Sequence, residues 1–306
     1  MAAIRTENLS KTYRSGFVQT AALRTLNLEV NEGEIFGFLG PNGAGKTTTI
    51  HLLLNLFRPT SGTAYLFERV VTETEVHRRL GYLPESVCLH DYYRGRALLE
   101  FYAALAGVRP SGRSGRITEM LKLLNLEAAA DKVVAKYSKG MLQRIGFAQA
   151  MLHDPDLLLL DEPTSSLDPV GRKEFRDILL ELKRRGKTVF ISSHILSEVE
   201  SVCDRVAILQ NGELKRVGTL QQLSAGRSMR LIVKSLPALA MEALAATAAV
   251  VTLVQGQVTI RCPDEALRQT VEQLLRQHSV EILRVEAETQ SLENIFFSTI
   301  NASSQP

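Results

Sequence analysis

Apolar residues gather in short runs at 35–39, 157–160, 189–192 and 206–209, each too brief for a helix and bounded by turn-forming or charged residues. Such runs predict parallel strands covered on both faces. Between them the spacing turns helical: in 171–185, Phe175, Ile178, Leu179 and Leu182 fall at i, i+3, i+4 and i+7. This alternation predicts an α/β sheet core. Residues 4–9 and 23–30 read as further strands leading to the turn Asn31-Glu32-Gly33-Glu34.

Two stretches depart from that alternation. From about 85 to 150 there is no β run, and helical spacing recurs in 97–106 and in 117–126 through Met120, Leu121 and Leu124, so this part reads as a helical insertion. Asn211-Gly212 is a hairpin signal between 206–210 and 213–217, after which the character changes near 224–228. Strand 229–234, helix 238–246, strands 249–253 and 257–261, helix 264–277 and strand 281–286 give a βαββαβ order. The expected division is a domain at 1–222 with its helical part at about 85–150, a linker at 223–227 and a small α+β domain at 228–306.

Composition narrows the class. The 306 residues are 45% hydrophobic and 23% charged with a net charge of +3, which gives no reason to expect nucleic acid as a partner. No apolar run reaches the roughly 18 residues that cross a bilayer, and Arg5, Glu7 and Lys11 stand where a signal peptide places its apolar segment, so a cytosolic chain is expected. Cys88, Cys203 and Cys262 are far apart and odd in number, and read as reduced small hydrophobes.

The chemistry concentrates first at Gly40-Pro41-Asn42-Gly43-Ala44-Gly45-Lys46-Thr47, between the run at 35–39 and an amphipathic stretch at 48–57. Strand, glycine loop and helix in that order form a phosphate cradle. Backbone N–H groups close around the phosphates, the helix presents its positive dipole end, Lys46 reaches the same oxygens and the Thr47 hydroxyl suits Mg²⁺. Thr48 completes the expected nucleotide-binding set. The run at 157–160 ends in Asp161-Glu162, where alternating side chains give the two acids separate tasks. Asp161 suits Mg²⁺, and Glu162 suits the general base that takes a proton from water. A solvated acidic pair leaving a strand is the alternative. Tyr137-Ser138-Lys139-Gly140-Met141-Leu142-Gln143-Arg144 precedes a helix with Leu142, Ile145, Ala148 and Leu152 on one face. Ser138 and Gly140 at its start offer a hydroxyl and free N–H groups to an anion, or Ser138 is an ordinary N-cap.

With these segments in this order, the sequence resembles the nucleotide-binding subunit of ATP-binding cassette (ABC) transporters, over about residues 4–220. The Ser138-Lys139-Gly140-Met141 stretch is similar to the family signature in its exporter-type variant. The resemblance implies a P-loop NTPase core sheet with a helical insertion, ATP and Mg²⁺ as cofactors, and ATP hydrolysis as the activity. It implies that Tyr13 stacks on adenine, that Ser165-Ser166-Leu167-Asp168 is the D-loop, and that His194 is the switch histidine that contacts the γ-phosphate. Glu85 in Gly81-Tyr82-Leu83-Pro84-Glu85 stands where many members carry Gln. It keeps a carboxylate for Mg²⁺ or water but lacks the amide donor. Several exporter-type members resemble this chain there.

In the family, ATP lies between the phosphate loop of one copy and the signature of another. The expectation is therefore a head-to-tail dimer with a second copy or a paralogous ATPase. It would sit peripherally on the cytoplasmic face of a membrane and drive a separate multi-span permease, with export favoured. The region 85–94, with Tyr92, Tyr93 and Arg94, is the expected docking site. The terminal run Ser291-Leu292-Glu293-Asn294-Ile295-Phe296-Phe297 reads as a docking helix. The alternative is a soluble ABC ATPase acting on ribosomes or DNA, against which stand the single cassette and the gap of only ~90 residues between loop and signature. A switch GTPase would need an Asn-Lys-x-Asp segment, which the sequence lacks.

Overall fold

The chain begins as a long antiparallel hairpin of β1 (Ala2–Ser15) and β2 (Val18–Asn31), broken by several register shifts. It then passes into β3 (Ile35–Leu39), α1 (Lys46–Leu53), β4 (Ser61–Leu66), β5 (Arg69–Val70), α2 (Thr74–His77) and β6 (Leu80–Leu83). The helical stretch follows as α3 (Gly95–Leu105), α4 (Pro110–Leu123) and α5 (Lys139–Met151). The chain returns to alternation with β7 (Leu157–Asp161), α6 (Pro169–Arg184), β8 (Thr188–Ser193), α7 (Leu196–Val202), β9 (Arg205–Gln210) and β10 (Glu213–Thr219). The computed structural model describes residues 1–16, 18–224, 229–254, 257–262, 265–287 and 291–302. It divides into two units, Met1–Thr219 and Leu220–Pro306.

In the first unit, a six-stranded sheet runs β10-β9-β3-β8-β7-β6, parallel except for the β9–β10 hairpin. A four-stranded antiparallel sheet, β2-β1-β4-β5, accompanies it. Every residue of β3, β7 and β8 is buried, which is why their sequences run apolar without alternating. Phe36 and Phe38 meet Phe190 across the sheet at ring-centroid distances of 5.8 and 5.1 Å. Each such buried side chain contributes about 1.5–3 kcal/mol of hydrophobic stabilisation. Asn211 and Gly212 take positive φ of 50° and 79°, the twist that closes a two-residue hairpin.

Several elements differ from the sequence reading. β1 and β2 are longer, since hairpin pairing carries them past their apolar stretches. β4 and β6 form where no pattern announced them. β6 is only four residues long, and its place beside β7, not its composition, makes it a strand. α5 packs against β6, α3 and α4, so it is buried well beyond one face, including Gln143, Phe147 and Met151. Leu142, expected on the apolar face, is only half-buried. Cys203 and Cys262 are buried as expected, whereas Cys88 is exposed.

The second unit contains α8 (Leu220–Ser224), β11 (Met229–Val233), α9 (Ala238–Ala245), β12 (Val250–Val254), β13 (Gln257–Cys262), α10 (Glu265–Gln277), β14 (Ile282–Ala287) and α11 (Leu292–Ala302). Its antiparallel sheet runs β12-β13-β11-β14, and Leu231, Val233 and Ile260 share a core with Leu244, Val271 and Leu275. Of the expected linker, residues 225–227 lie outside the described residues. α11 packs against α8 with Leu292, Ile295 and Phe296 buried. Among the described residues no helix is long and apolar enough to cross a membrane.

Candidate nucleotide site

β3 delivers the chain to a loop that Gly45 turns into α1. Gly45 has φ 109°, and a Cβ there would lie 2.4 Å from the Ala22 carbonyl oxygen, so only glycine fits. Because Gly45 is the N-cap, α1 starts at Lys46, two residues before the amphipathic stretch seen in sequence. Lys46 is buried, and its Nζ donates to the carbonyls of Gly40 (2.8 Å) and Pro41 (3.4 Å). The ammonium is thereby held over the mouth of the loop. A cleft of about 420 Å³ opens there, lined by residues 42–48 and by Glu85, Glu162 and His194.

The acids behind the cleft take different orientations. Asp161 ends β7 at 1% exposure, and its Oδ1 accepts from the Ser192 hydroxyl. Burial, and beyond it the Asp161 charge, pushes the Tyr82 hydroxyl up to about 12. Glu162 takes φ 47°, a left-handed conformation that a non-glycine residue adopts at some expense. Its N–H donates to both the carbonyl and the hydroxyl oxygen of Ser192, each at 3.1 Å, which holds the turn. The turn brings Glu162 Oε1 to 3.3 Å from Lys46 Nζ and Oε2 to 2.7 Å from His194 Nδ1. With Glu162 ionised, Nδ1 carries the proton and donates. Lysine, glutamate and histidine therefore form one contiguous polar chain, with Lys46 and Glu162 buried and His194 half-exposed. Beyond its ion pair with Lys46, Oε1 of Glu162 has no hydrogen bond among the described residues, which leaves it accepting capacity for a water or hydroxyl in the cleft.

Other expected site residues lie elsewhere. Ser138, Gly140 and Asp168 line a second cleft of about 470 Å³, which shares no lining residue with the first. Ser138 caps α5 by accepting from Met141 N at 3.2 Å, and Asp168 caps α6 by accepting from Gly171 N at 2.9 Å. Tyr13 does not line the phosphate cleft. Its ring meets Phe57 edge-on at 6.0 Å, with Lys11 Nζ 5.2 Å from the ring centroid. Ser192 was not singled out from sequence. A serine within an apolar strand, beside the strand that ends in Asp161-Glu162, was the available signal.

A strand–glycine loop–helix cradle, a buried lysine, two carboxylates at the end of β7 and a histidine just after β8, the strand between β3 and β7, define a phosphate-loop nucleoside triphosphatase. The ABC transporter family profile matches residues 23–165. The chain is 47% identical over 225 residues to an uncharacterised ABC transporter ATP-binding protein of Nostoc sp., covering 72% of this chain and 67% of that one. It is 37% identical over 301 residues to the uncharacterised ABC transporter ATP-binding protein YxlF of Bacillus subtilis, covering 97% and 99%. It is 43% identical over 214 residues to the bacitracin transport ATP-binding protein BcrA of Bacillus licheniformis, covering 69% and 68%. The dimeric post-hydrolysis structure of the cassette MJ0796, bound to ADP and Pi, superposes with a TM-score of 0.66 at 26% identity, over 71% of this chain and 98% of that one. This chain belongs to the ATP-binding proteins of ABC transporters. It is an ATPase of that family, and ATP is its nucleotide.

Proposed function

We propose that the chain hydrolyses ATP within a head-to-tail dimer and uses the closing and opening of that dimer to drive a separate membrane permease, in the direction of export. The observation that carries the dimer is the separation of the two clefts. Lys46, Glu162 and His194 face one, while Ser138, Gly140 and Asp168 face another with no lining residue in common. Two copies related by a twofold axis bring the first cleft of each against the second cleft of the other. ATP held by residues 40–48 of one copy is then completed by Ser138 and Gly140 of its partner. Tyr13 serves the adenine by stacking, and Asp168 belongs to the crossing loop.

Glu162 accepts the proton of the attacking water, and His194 holds that carboxylate and reaches the γ-phosphate. Thr47, Glu85 and Asp161 are hard oxygen donors that suit Mg²⁺, which neutralises phosphate charge when bound. Thr47 and Glu85 border the cleft, and Asp161 stands behind it. Export is supported by the likeness to a bacitracin transport protein and by Glu85 at the lever position. Tyr92 is 68% exposed, and its ring meets that of Tyr93 at 4.7 Å with a tilt of 33°, in a ring cluster with His90, Phe101 and Tyr102. That patch is the docking surface for the permease, on the cytoplasmic face of the membrane.

The test uses Glu162→Gln, which keeps the side-chain shape but removes the base. Light scattering with ATP and Mg²⁺ is expected to show a dimer that Ser138→Arg abolishes, and a pull-down from solubilised membranes is expected to retain a multi-span chain. A monomer under those conditions overturns the dimer. Ribosomal or DNA-bound partners without a membrane chain overturn the transporter assignment.

A further inference from the structure

Three segments that meet the nucleotide site converge on one side chain outside it. Glu198 lies in the first turn of α7, four residues after His194. An acidic residue there would ordinarily serve the helix dipole. Instead its carboxylate spans outward to two other segments. Oε2 accepts from the hydroxyl of Thr164, two residues after Glu162, and Oε1 stands 3.3 Å from Nε of Arg172 on α6. The same Arg172 Nε donates to the carbonyl of Leu167 at 3.1 Å, inside the loop that ends in Asp168. Thr164 is buried and the Glu198 side chain is 21% exposed, whereas the Arg172 side chain is 38% exposed, so the Thr164 contact is the more sheltered of the two.

The loop itself is wound tightly. Ser165 N donates to the Glu162 carbonyl at 3.2 Å, and Leu167 N donates to the Thr164 carbonyl at 3.0 Å. Residues 162–167 therefore form one hydrogen-bonded turn. Glu198 fastens that turn to the helix that follows His194. His194 is itself half-exposed, and among the described contacts its ring is held by Glu162 alone. Its backbone lies in the short link between β8, which ends at Ser193, and α7, which begins at Leu196.

We propose that Glu198 is a positioning residue for hydrolysis: through Thr164 and Arg172 it fixes His194 against Glu162 and couples both to the loop carrying Asp168. This rests on the roles given above to Glu162 and His194. None of the three strut residues borders the phosphate cleft. Removing the strut therefore leaves ATP binding intact and slows turnover.

The test is steady-state ATP hydrolysis by the full chain carrying Glu198→Ala, Thr164→Val, both together, and Thr164→Ser, with His194→Ala in parallel. Expected are a tenfold or greater fall in kcat for Glu198→Ala and Thr164→Val, a KM for ATP within twofold of the parent, and a double variant no slower than the worse single one. Thr164→Ser keeps the hydroxyl and is expected to keep turnover. A purely structural role would lower the melting temperature and leave kcat per folded molecule unchanged, which overturns the proposal. Multiplicative losses in the double variant also overturn it. If His194→Ala abolishes turnover while Glu198→Ala does not, the strut alone fails. If His194→Ala turns over like the parent, the histidine's role fails and the proposal with it. Should Glu198→Ala not fold, Glu198→Gln, which retains an acceptor for Thr164 but not the charge facing Arg172, is expected to give an intermediate kcat, and parental kcat refutes the charge coupling.

Discussion

Ser192→Ala removes a hydroxyl that touches both acids of the site. The hydroxyl donates to Asp161 Oδ1 and accepts from Glu162 N, and Ser192 is fully buried. The second contact has a backup, because Glu162 N also donates to the Ser192 carbonyl at 3.1 Å. The first has none from Ser192 once the hydroxyl is gone. A hydrogen bond to a charged group is worth about 1.5–3 kcal/mol, roughly twice a neutral one, and Asp161 at 1% exposure cannot recruit bulk water in exchange. The expected loss is therefore about 1.5–3 kcal/mol from the first unit. Heat unfolding should show it as a fall of about 2–4 °C per kcal/mol for a unit of this size. Urea unfolding should show a lower midpoint at unchanged slope. Asp161→Asn completes a double-mutant cycle, with a coupling of at least about 0.5 kcal/mol expected for groups in direct contact. A Ser192→Ala loss under about 0.5 kcal/mol, or additivity with Asp161→Asn, would refute the view that this hydroxyl satisfies the buried carboxylate.

Two further outcomes follow from single contacts. Asp168→Ala removes the cap that accepts from Gly171 N and is expected to destabilise the first unit by about 1 kcal/mol, while Asp168→Asn restores most of it in the same urea titration. Tyr82 carries a hydroxyl pushed up to about 12 by burial and by Asp161, above its ordinary value of 10.0. The folded protein thus holds that proton where the unfolded chain releases it, so stability is full below pH 10 and declines as pH rises toward 12. Tyr82→Phe is expected to flatten this alkaline decline relative to the parent; identical pH profiles would show that Tyr82 does not contribute to it.

Much of the core could be read directly. The runs at 35–39, 157–160, 189–192 and 206–209 became β3, β7, β8 and β9 because a strand buried on both faces has no polar side to show. The phosphate loop was equally plain, since its glycines serve backbone geometry that any tertiary setting must honour. β6 could not be read, because four residues carry no period and its pairing with β7 is decided across more than seventy residues of intervening chain. α5 was misjudged in extent of burial, because its amphipathicity does not reveal that β6, α3 and α4 all close on it.

The sequence by itself determined the chemistry available: a cradle that exposes backbone N–H groups, a lysine at its helix start, two carboxylates at a strand end and a histidine after the next strand. These depend on local conformation and on which functional groups are present, both of which are written residue by residue. Only the tertiary structure decided how those groups meet. The left-handed turn at Glu162 puts its carboxylate between Lys46 and His194, and Ser192 holds that turn from the adjacent strand. It is also the fold that sends Ser138 and Asp168 to a separate cleft and draws Thr164, Arg172 and Glu198 together. Contacts between residues 26 or more positions apart, as Arg172 and Glu198 are, depend on sheet order and helix packing, and those are properties of the whole core, not of any segment.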